Sequence, residues 1–158
     1  MFSKQQQSVR KELVIKASQE RVFKAFTEQL DKWWPRQHHI GKAEMREAVL
    51  ELEPGGRWYE IGVDGSECNW GKVLIWEPPK KLVLAWQINA NWQYEPNFVT
   101  EVEINFIQQG PTQTLLAFEH KDIERFGEKA PEIWSAFDSE KGWTGMLKAL
   151  AALAEGGR

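Results

Sequence analysis

The chain of 158 residues contains a single cysteine, Cys68, so no disulfide can form within it. It also lacks the run of roughly 18 apolar residues that a membrane-spanning helix requires. The start, MFSKQQQSVRKE, has no apolar stretch after its first positive charges, as a signal peptide would have. These absences predict a cytoplasmic protein without a membrane span.

Motifs for metal, nucleotide and nucleophile chemistry are missing as well. The histidines are His38, His39 and His120, and with one cysteine they do not give the ligand spacing of a zinc site. There is no Gly-x-Ser-x-Gly sequence and no glycine-rich phosphate loop. We therefore expect no metal and no cofactor, and we expect a binding protein rather than an enzyme.

The charges are balanced and dispersed. Twenty Lys and Arg residues are scattered among 23 Asp and Glu residues, which gives a net charge of -3. A basic stripe that could neutralise a phosphate backbone is absent, so nucleic acid is not an expected partner. With 42% hydrophobic residues and no break in composition, the sequence predicts one domain spanning residues 1–158.

The last apolar segment organises the predicted fold. Residues 131–154 form one predicted helix, because its apolar residues recur three and four positions apart. This face consists of Trp143, Met146, Leu147, Leu150, Leu153 and Ala154. Such a face must be covered, and the preceding residues alternate as strands do, which predicts a helix packed on a sheet.

The segments before this helix have clear periods and turns. A strand over 9–16 is followed by Ser18, a predicted helix N-cap, and by two short helices that end before Pro35. Six further strands are predicted between residues 44 and 120, and the alternation is clearest over 81–88. The fold class is therefore α+β, with an antiparallel sheet of about seven strands wrapped around a long C-terminal helix.

Several motifs resemble one family. They are Arg21-Val22-Phe23-Lys24-Ala25-Phe26-Thr27, Trp33-Trp34, Pro54-Gly55-Gly56-Arg57-Trp58, Glu77-Pro78-Pro79-Lys80-Lys81-Leu82-Val83 with Trp86, the strand ending at His120, and Gly142-Trp143 with Leu147 and Leu150. In order and spacing the chain resembles the SRPBCC superfamily, the START-like helix-grip fold, in the branch similar to the activator of the Hsp-ninety ATPase. The resemblance implies a curved sheet and a cavity between sheet and helix.

The superfamily includes ligand carriers, enzymes and co-chaperone modules, so the fold alone does not give the activity. The favoured function is binding of a small hydrophobic or aromatic ligand in the cavity. One alternative is a cyclase- or hydrolase-like enzyme that uses a cavity histidine or glutamate. Another is a co-chaperone-like module that binds a protein partner, and a homodimer is left open.

Candidate ligand-binding residues follow from strand phase, helix face and resemblance together. They are Trp34, Trp58, Trp86, Phe98, Val102, Phe118, His120, Trp143 and Leu147. Nine tryptophans in one chain are also consistent with an ordinary aromatic core.

Three polar positions need separate interpretation. His38 and His39 are expected to be solvated loop residues. His120 continues the buried phase of Leu116 and Phe118, so it is either a hydrogen-bonded core histidine or a donor to a ligand. The hydrophobic pattern places Glu60 outside, because Tyr59, Ile61 and Val63 form the more apolar face, whereas the resemblance places Glu60 inside with Trp58.

Overall fold

The computed structural model describes residues 7–156. The strands are β1 (Val9–Ile15), β2 (Met45–Leu50), β3 (Arg57–Gly62), β4 (Glu67–Glu77), β5 (Lys81–Trp86), β6 (Thr100–Gln108) and β7 (Thr114–His120). The helices are α1 (Gln19–Thr27), α2 (Leu30–Trp33), α3 (Ala130–Asp138) and α4 (Trp143–Gly156), and a 3-10 segment covers Ile123–Lys129.

The strands form a seven-stranded antiparallel sheet in the order β1-β7-β6-β5-β4-β3-β2. Within the described residues, only the pairing of β1 with β7 joins strands distant in sequence, with Val9 opposite His120. The sheet is curled into a half-barrel, and the whole is an α+β helix-grip fold, as the sequence predicts.

Local capping explains where the first helix begins. The Ser18 side chain accepts a hydrogen bond from the backbone N–H of Arg21, and Glu20 lies in the first turn. Both features stabilise a helix N-terminus. Val22, Phe23 and Phe26 then face the core, and the predicted N-cap is confirmed.

The C-terminal segment is two helices, and the prediction of one continuous helix over 131–154 is wrong. The chain turns at residues 139–142, where Ser139 has an extended conformation. Gly142 passes so close to the end of α3 that a Cβ there would lie 2.3 Å from the Ala136 carbonyl oxygen. Only glycine allows this approach, and the turn lets α4 leave in a new direction.

The apolar face predicted for the last helix is confirmed on α4. Trp143, Met146, Leu147, Leu150 and Ala154 are buried, and Leu153 is half-buried against the same core. The α4 helix packs against α1, α2, α3 and β1. Within residues 7–156, no helix has the length and apolar character needed to span a membrane.

Candidate functional site

A cavity of about 450 Å³ lies where the turn between α3 and α4 meets the segment after α2. Its lining consists of Trp34, Gln37, His38, His39, Ile40, Trp86, Trp92, Ala136, Phe137, Ser139, Lys141, Gly142, Trp143 and Met146. A volume of this size is typical of small-molecule sites. The lining comes mainly from loops and helix ends, and Trp86, the last residue of β5, is the one member that belongs to a strand.

Aromatic rings form the inner wall of this cavity. The rings of Trp34 and Trp143 meet edge to face with centroids 5.8 Å apart, and those of Trp86 and Phe137 do so at 6.0 Å. Such pairs fix ring orientations, because the positive edge of one ring meets the negative face of the other. The cavity is therefore bounded by apolar rings that are held in fixed orientations.

Trp92 stands at the exposed side of the cavity, with 45% of its surface accessible. Its backbone has φ of 60°, a left-handed conformation that is strained for a bulky residue. Asn89 holds the turn, since its side-chain oxygen accepts hydrogen bonds from the N–H groups of Asn91 and Gln93. The Trp92 ring meets Phe137 edge to face at 6.1 Å.

The structure brings three of the nine predicted site residues to the cavity: Trp34, Trp86 and Trp143. Phe98 lies apart from it and packs against Phe126, with centroids 5.0 Å apart. The others are buried behind the wall and do not line the cavity: Trp58, Val102, Phe118, His120 and Leu147.

These buried residues support the lining from behind. Trp58 lies 5.8 Å from Trp34 and 5.4 Å from Trp86 between ring centroids, and Phe118 lies 4.6 Å from Trp143. The indole N–H groups of Trp58 and Trp86 are buried and have no hydrogen-bond partner among the described residues. An unpaired buried donor is costly, and that of Trp86 belongs to a ring that borders the cavity.

His120 is completely buried at the end of β7 and is held by hydrogen bonds at both ring nitrogens. The indole N–H of Trp143 donates to Nδ1 over 3.1 Å, and Thr100 Oγ1 lies 2.8 Å from Nε2. Because an indole nitrogen can only donate, Nδ1 must be the acceptor and Nε2 must carry the proton. The imidazole therefore donates to Thr100 and is held as a single neutral tautomer.

Burial also favours the uncharged form of this histidine. Loss of water around the ring lowers the pKa of His120 to about 3. The ring is stacked on Phe137, with centroids 4.8 Å apart and planes 15° apart. Of the two interpretations left open by the sequence, this geometry supports the hydrogen-bonded core histidine.

His38 and His39 are not the solvated loop residues expected from the sequence. Residues 37–41, here called the histidine loop, fold against the cavity, and both imidazoles are half-buried in its lining. The loop is held by Trp34, whose indole N–H donates to the His38 carbonyl oxygen over 3.1 Å. Nothing in the local sequence pattern signals this contact, because it depends on tertiary packing.

Backbone carbonyls orient both imidazoles of the histidine loop. Nε2 of His38 faces the Lys141 carbonyl oxygen, and Nδ1 of His39 lies 2.7 Å from the Gly41 carbonyl oxygen. A carbonyl accepts, so these nitrogens carry the protons in the neutral rings. No described residue bonds Nδ1 of His38 or Nε2 of His39, and either can accept a proton or a hydrogen bond.

Glu60 lies inside, and the orientation preferred from the hydrophobic pattern is wrong. Its residue surface is 1% accessible, and it shares the buried face of β3 with Trp58. Its Oε1 accepts hydrogen bonds from the Ile40 backbone N–H and from the Trp70 indole, the latter over 2.8 Å. These two donors offset the cost of burying the carboxylate, and they tie the histidine loop to the sheet.

A bulge in β4 supplies one of these donors. The register between β3 and β4 shifts where Trp58 pairs with Gly71 and Tyr59 pairs with Asn69, so that Trp70 is the extra residue. Cys68, in the same strand, is half-buried, and burial together with the nearby Glu60 charge raises the pKa of its thiol. The thiol is thus held in its less reactive protonated form.

Three further features of the site lie outside the sequence prediction. Trp92 sits in a polar loop, and Phe137 and Lys141 become part of the lining because the chain turns between α3 and α4.

Across residues 7–156, no group of three or more His, Cys, Asp or Glu side chains is placed to hold a metal ion.

Comparison with known proteins agrees with this architecture. Solved structures that are similar over nearly the whole chain include the following two. The anthrahydroquino-gamma-pyrone synthase Txn09 is 35% identical, with 92% of this chain and 96% of that chain covered and a TM-score of 0.66. CalC from Micromonospora echinospora, a self-sacrificing resistance protein, is 28% identical, with 95% of both chains covered and a TM-score of 0.72.

A third similarity concerns the fold alone. The Aha1 dimer from Colwellia psychrerythraea is 19% identical, with 96% of this chain and 98% of that chain covered and a TM-score of 0.63. No curated protein sequence matches the chain. The family model described as activator of Hsp90 ATPase homolog 1-like protein matches residues 16–155. The chain therefore belongs to this AHSA1 family, within the SRPBCC-like fold.

Proposed function

We propose that this protein binds a flat hydrophobic molecule, in particular an aromatic one, in the cavity between the histidine loop and the turn joining α3 to α4. The observation that carries the proposal is the aromatic wall. Trp34, Trp86, Phe137 and Trp143 bound a space of about 450 Å³. Planar rings in the ligand would gain edge-to-face or stacked contacts there, in addition to the burial of apolar surface.

The relatives support the same class of ligand. Txn09 is described as a synthase of an anthrahydroquino-gamma-pyrone, a compound class built from fused aromatic rings. Its identity of 35% over nearly the full length of both chains makes a related ligand a reasonable choice for a first test. Trp92 would cover the outer face of such a ligand, because its ring is exposed beside Phe137 at the cavity entrance.

Binding can be tested with a substitution that places a larger side chain in the cavity at an exposed lining residue. Ala136 is exposed on α3 and lines the cavity, whereas its neighbour Ser135 is exposed and does not. We expect anthraquinone and naphthol compounds to bind with saturable changes in tryptophan emission. Ala136→Leu should weaken their affinity about tenfold or more through steric overlap, and Ser135→Leu should leave it unchanged.

Calorimetry should give the same order of affinities, and the melting temperatures of both variants show whether they fold. The proposal would be rejected if a broad panel of flat aromatic compounds left both the emission and the melting temperature of the unmodified protein unchanged.

A second candidate function is ring closure of a bound phenolic substrate. The observation that favours it is His39, whose Nδ1 is fixed by the Gly41 carbonyl while Nε2 remains able to accept a proton. In such an isomerisation the phenol of a conjugated ketone loses its proton to Nε2, the phenolate oxygen bonds to the β-carbon as the carbon–carbon double bond opens, and the α-carbon takes the proton back from the imidazolium. No other reactant is required.

The compound 2′-hydroxychalcone closes by this chemistry and can be followed by absorbance. An enzyme of this kind should accelerate closure, and His39→Gln should lower the rate at least about a hundredfold, the usual contribution of a general base. Lys42→Gln, beside the histidine loop but outside the lining, is the control. A rate equal to that in buffer would exclude this activity for this substrate while leaving ligand binding intact.

A further inference from the structure

The rim of the cavity carries basic and neutral polar groups but no acidic ones. Its polar lining consists of Gln37, His38, His39, Ser139 and Lys141, and no carboxylate is among the lining residues. The chain as a whole has a net charge of -3, so a site without acidic groups departs from the average surface. The aromatic wall lies beneath this rim.

The carboxylates nearest to the rim in sequence are each held by a basic residue elsewhere. Asp138 pairs with Lys11, with Oδ1 and Nζ 2.7 Å apart, and Glu140 pairs with Lys148 at 2.7 Å between Oε1 and Nζ. Lys141 follows directly in the chain, and it has no ion-pair partner among the residues that the structure describes.

The acidic groups of Asp31 in α2 and Glu60 in β3 are also engaged. Asp31 binds the guanidinium of Arg36 through two hydrogen bonds of 2.7 and 2.9 Å. Glu60 is turned into the core, where Ile40 and Trp70 donate to it. The histidine loop therefore presents no carboxylate to the cavity, and Lys141 adds a positive charge.

We infer that the ligand of this cavity is an aromatic carboxylate, with its rings on the tryptophan wall and its carboxylate beside the ammonium group of Lys141. This inference rests on the proposed binding function and adds the chemical class of the ligand. A carboxylate there would form an ion pair with Lys141, which a neutral group of the same shape cannot form. A cationic group would be repelled by the same ammonium.

A matched pair of ligands separates this inference from the proposed function. Anthraquinone-2-carboxylate and its neutral carboxamide have the same ring system and nearly the same size. At pH 7.5 and low salt, the unmodified protein should bind the carboxylate about tenfold more tightly than the carboxamide. Raising the sodium chloride concentration to about 0.5 M should reduce this preference, because salt screens exposed charges.

Variants assign the preference to the rim. Lys141→Met keeps most of the length of the side chain and removes its charge, and it should lower the ratio of carboxylate affinity to carboxamide affinity at least about threefold. Lys42→Met, an exposed lysine outside the lining, is the matched control and should behave as the unmodified protein.

The outcomes are distinct. Equal affinity for the two ligands overturns the inference and leaves the proposed binding function standing. A carboxylate preference that survives Lys141→Met also overturns it, since the selectivity would then arise elsewhere. If neither ligand binds to the unmodified protein, both the inference and binding of this aromatic class are rejected.

Discussion

Leu150→Ala should lower the free energy of unfolding by about 2 to 5 kcal/mol, the usual cost of removing a fully buried leucine side chain. Leu150 has no accessible surface, and it lies on the face of α4 that is packed into the core. Truncation removes apolar contacts and leaves a void that the surrounding helices and strands can fill only in part. Urea unfolding followed by circular dichroism measures the change.

Leu153→Ala is the matched control for this prediction. It is the same chemical change on the same helix, but Leu153 is only half-buried, so the expected loss is clearly smaller. If Leu150→Ala cost no more than about 0.5 kcal/mol, as surface substitutions do, the assigned core face of α4 would be incorrect.

The parts of the fold that the sequence predicts are those encoded by local period and local chemistry. The alternation of Leu82, Leu84 and Trp86 places one face of β5 in the core. Ser18 caps α1 through its own side chain, a contact between residues three positions apart. Such features need no knowledge of distant segments, because burial phase and capping are decided within a few residues.

The division of the C-terminal segment depends instead on tertiary packing. Residues 131–154 contain good helix formers on both sides of the turn, and no proline interrupts them after Pro131. Gly142 is a local signal, but a glycine within a helical pattern is often tolerated. The turn arises because α3 and α4 pack against different parts of the fold. Hydrophobic periodicity in the sequence does not reveal which distant segments a helix contacts.

The composition of the cavity was predictable only in part for a related reason. Strand phase separates inward from outward side chains, but it does not separate residues that touch a cavity from those behind them. It therefore selects Trp86 and also Val102, which is buried in the core. The histidine loop and Trp92 have no regular period, so their approach to the site leaves no pattern.

Glu60 shows the same limit for polar residues. The sequence assigns a cost to burying its carboxylate, but it does not reveal the two donors that offset this cost. One donor comes from the histidine loop and the other from the bulged residue Trp70. The hydrophobic pattern of β3 thus fails at Glu60, because its carboxylate is stabilised by hydrogen bonds from residues outside that strand.

His120 should make the stability of the protein depend on pH. In the unfolded chain its imidazole takes up a proton below its ordinary pKa of 6.5, whereas in the native state burial keeps it neutral down to about 3. The unfolded state then binds more protons, so stability is fully present above about pH 6.5 and is lost as the pH falls. Between these two pKa values, the free energy of unfolding falls by up to about 1.4 kcal/mol for each pH unit.

Substitution of His120 by Phe should reveal both its hydrogen bonds and its titration. At pH 7.5 we expect His120→Phe to lower the free energy of unfolding by about 2 to 4 kcal/mol, because Trp143 loses its acceptor and Thr100 loses a donor. At pH 5 the unmodified protein pays about 2 kcal/mol to keep the buried imidazole neutral, and the variant has no imidazole at this position. The difference in unfolding free energy between the two proteins should therefore shrink by that amount.

Urea unfolding of both proteins at several pH values between 5 and 7.5 tests this directly. The other titrating groups are present in both proteins and largely cancel in the comparison. A difference in stability that stays constant with pH would show that His120 titrates alike in the folded and unfolded states, contrary to its complete burial. Unchanged stability at pH 7.5 would contradict the structural role, and a loss of ligand affinity in the folded variant would return His120 to the binding site.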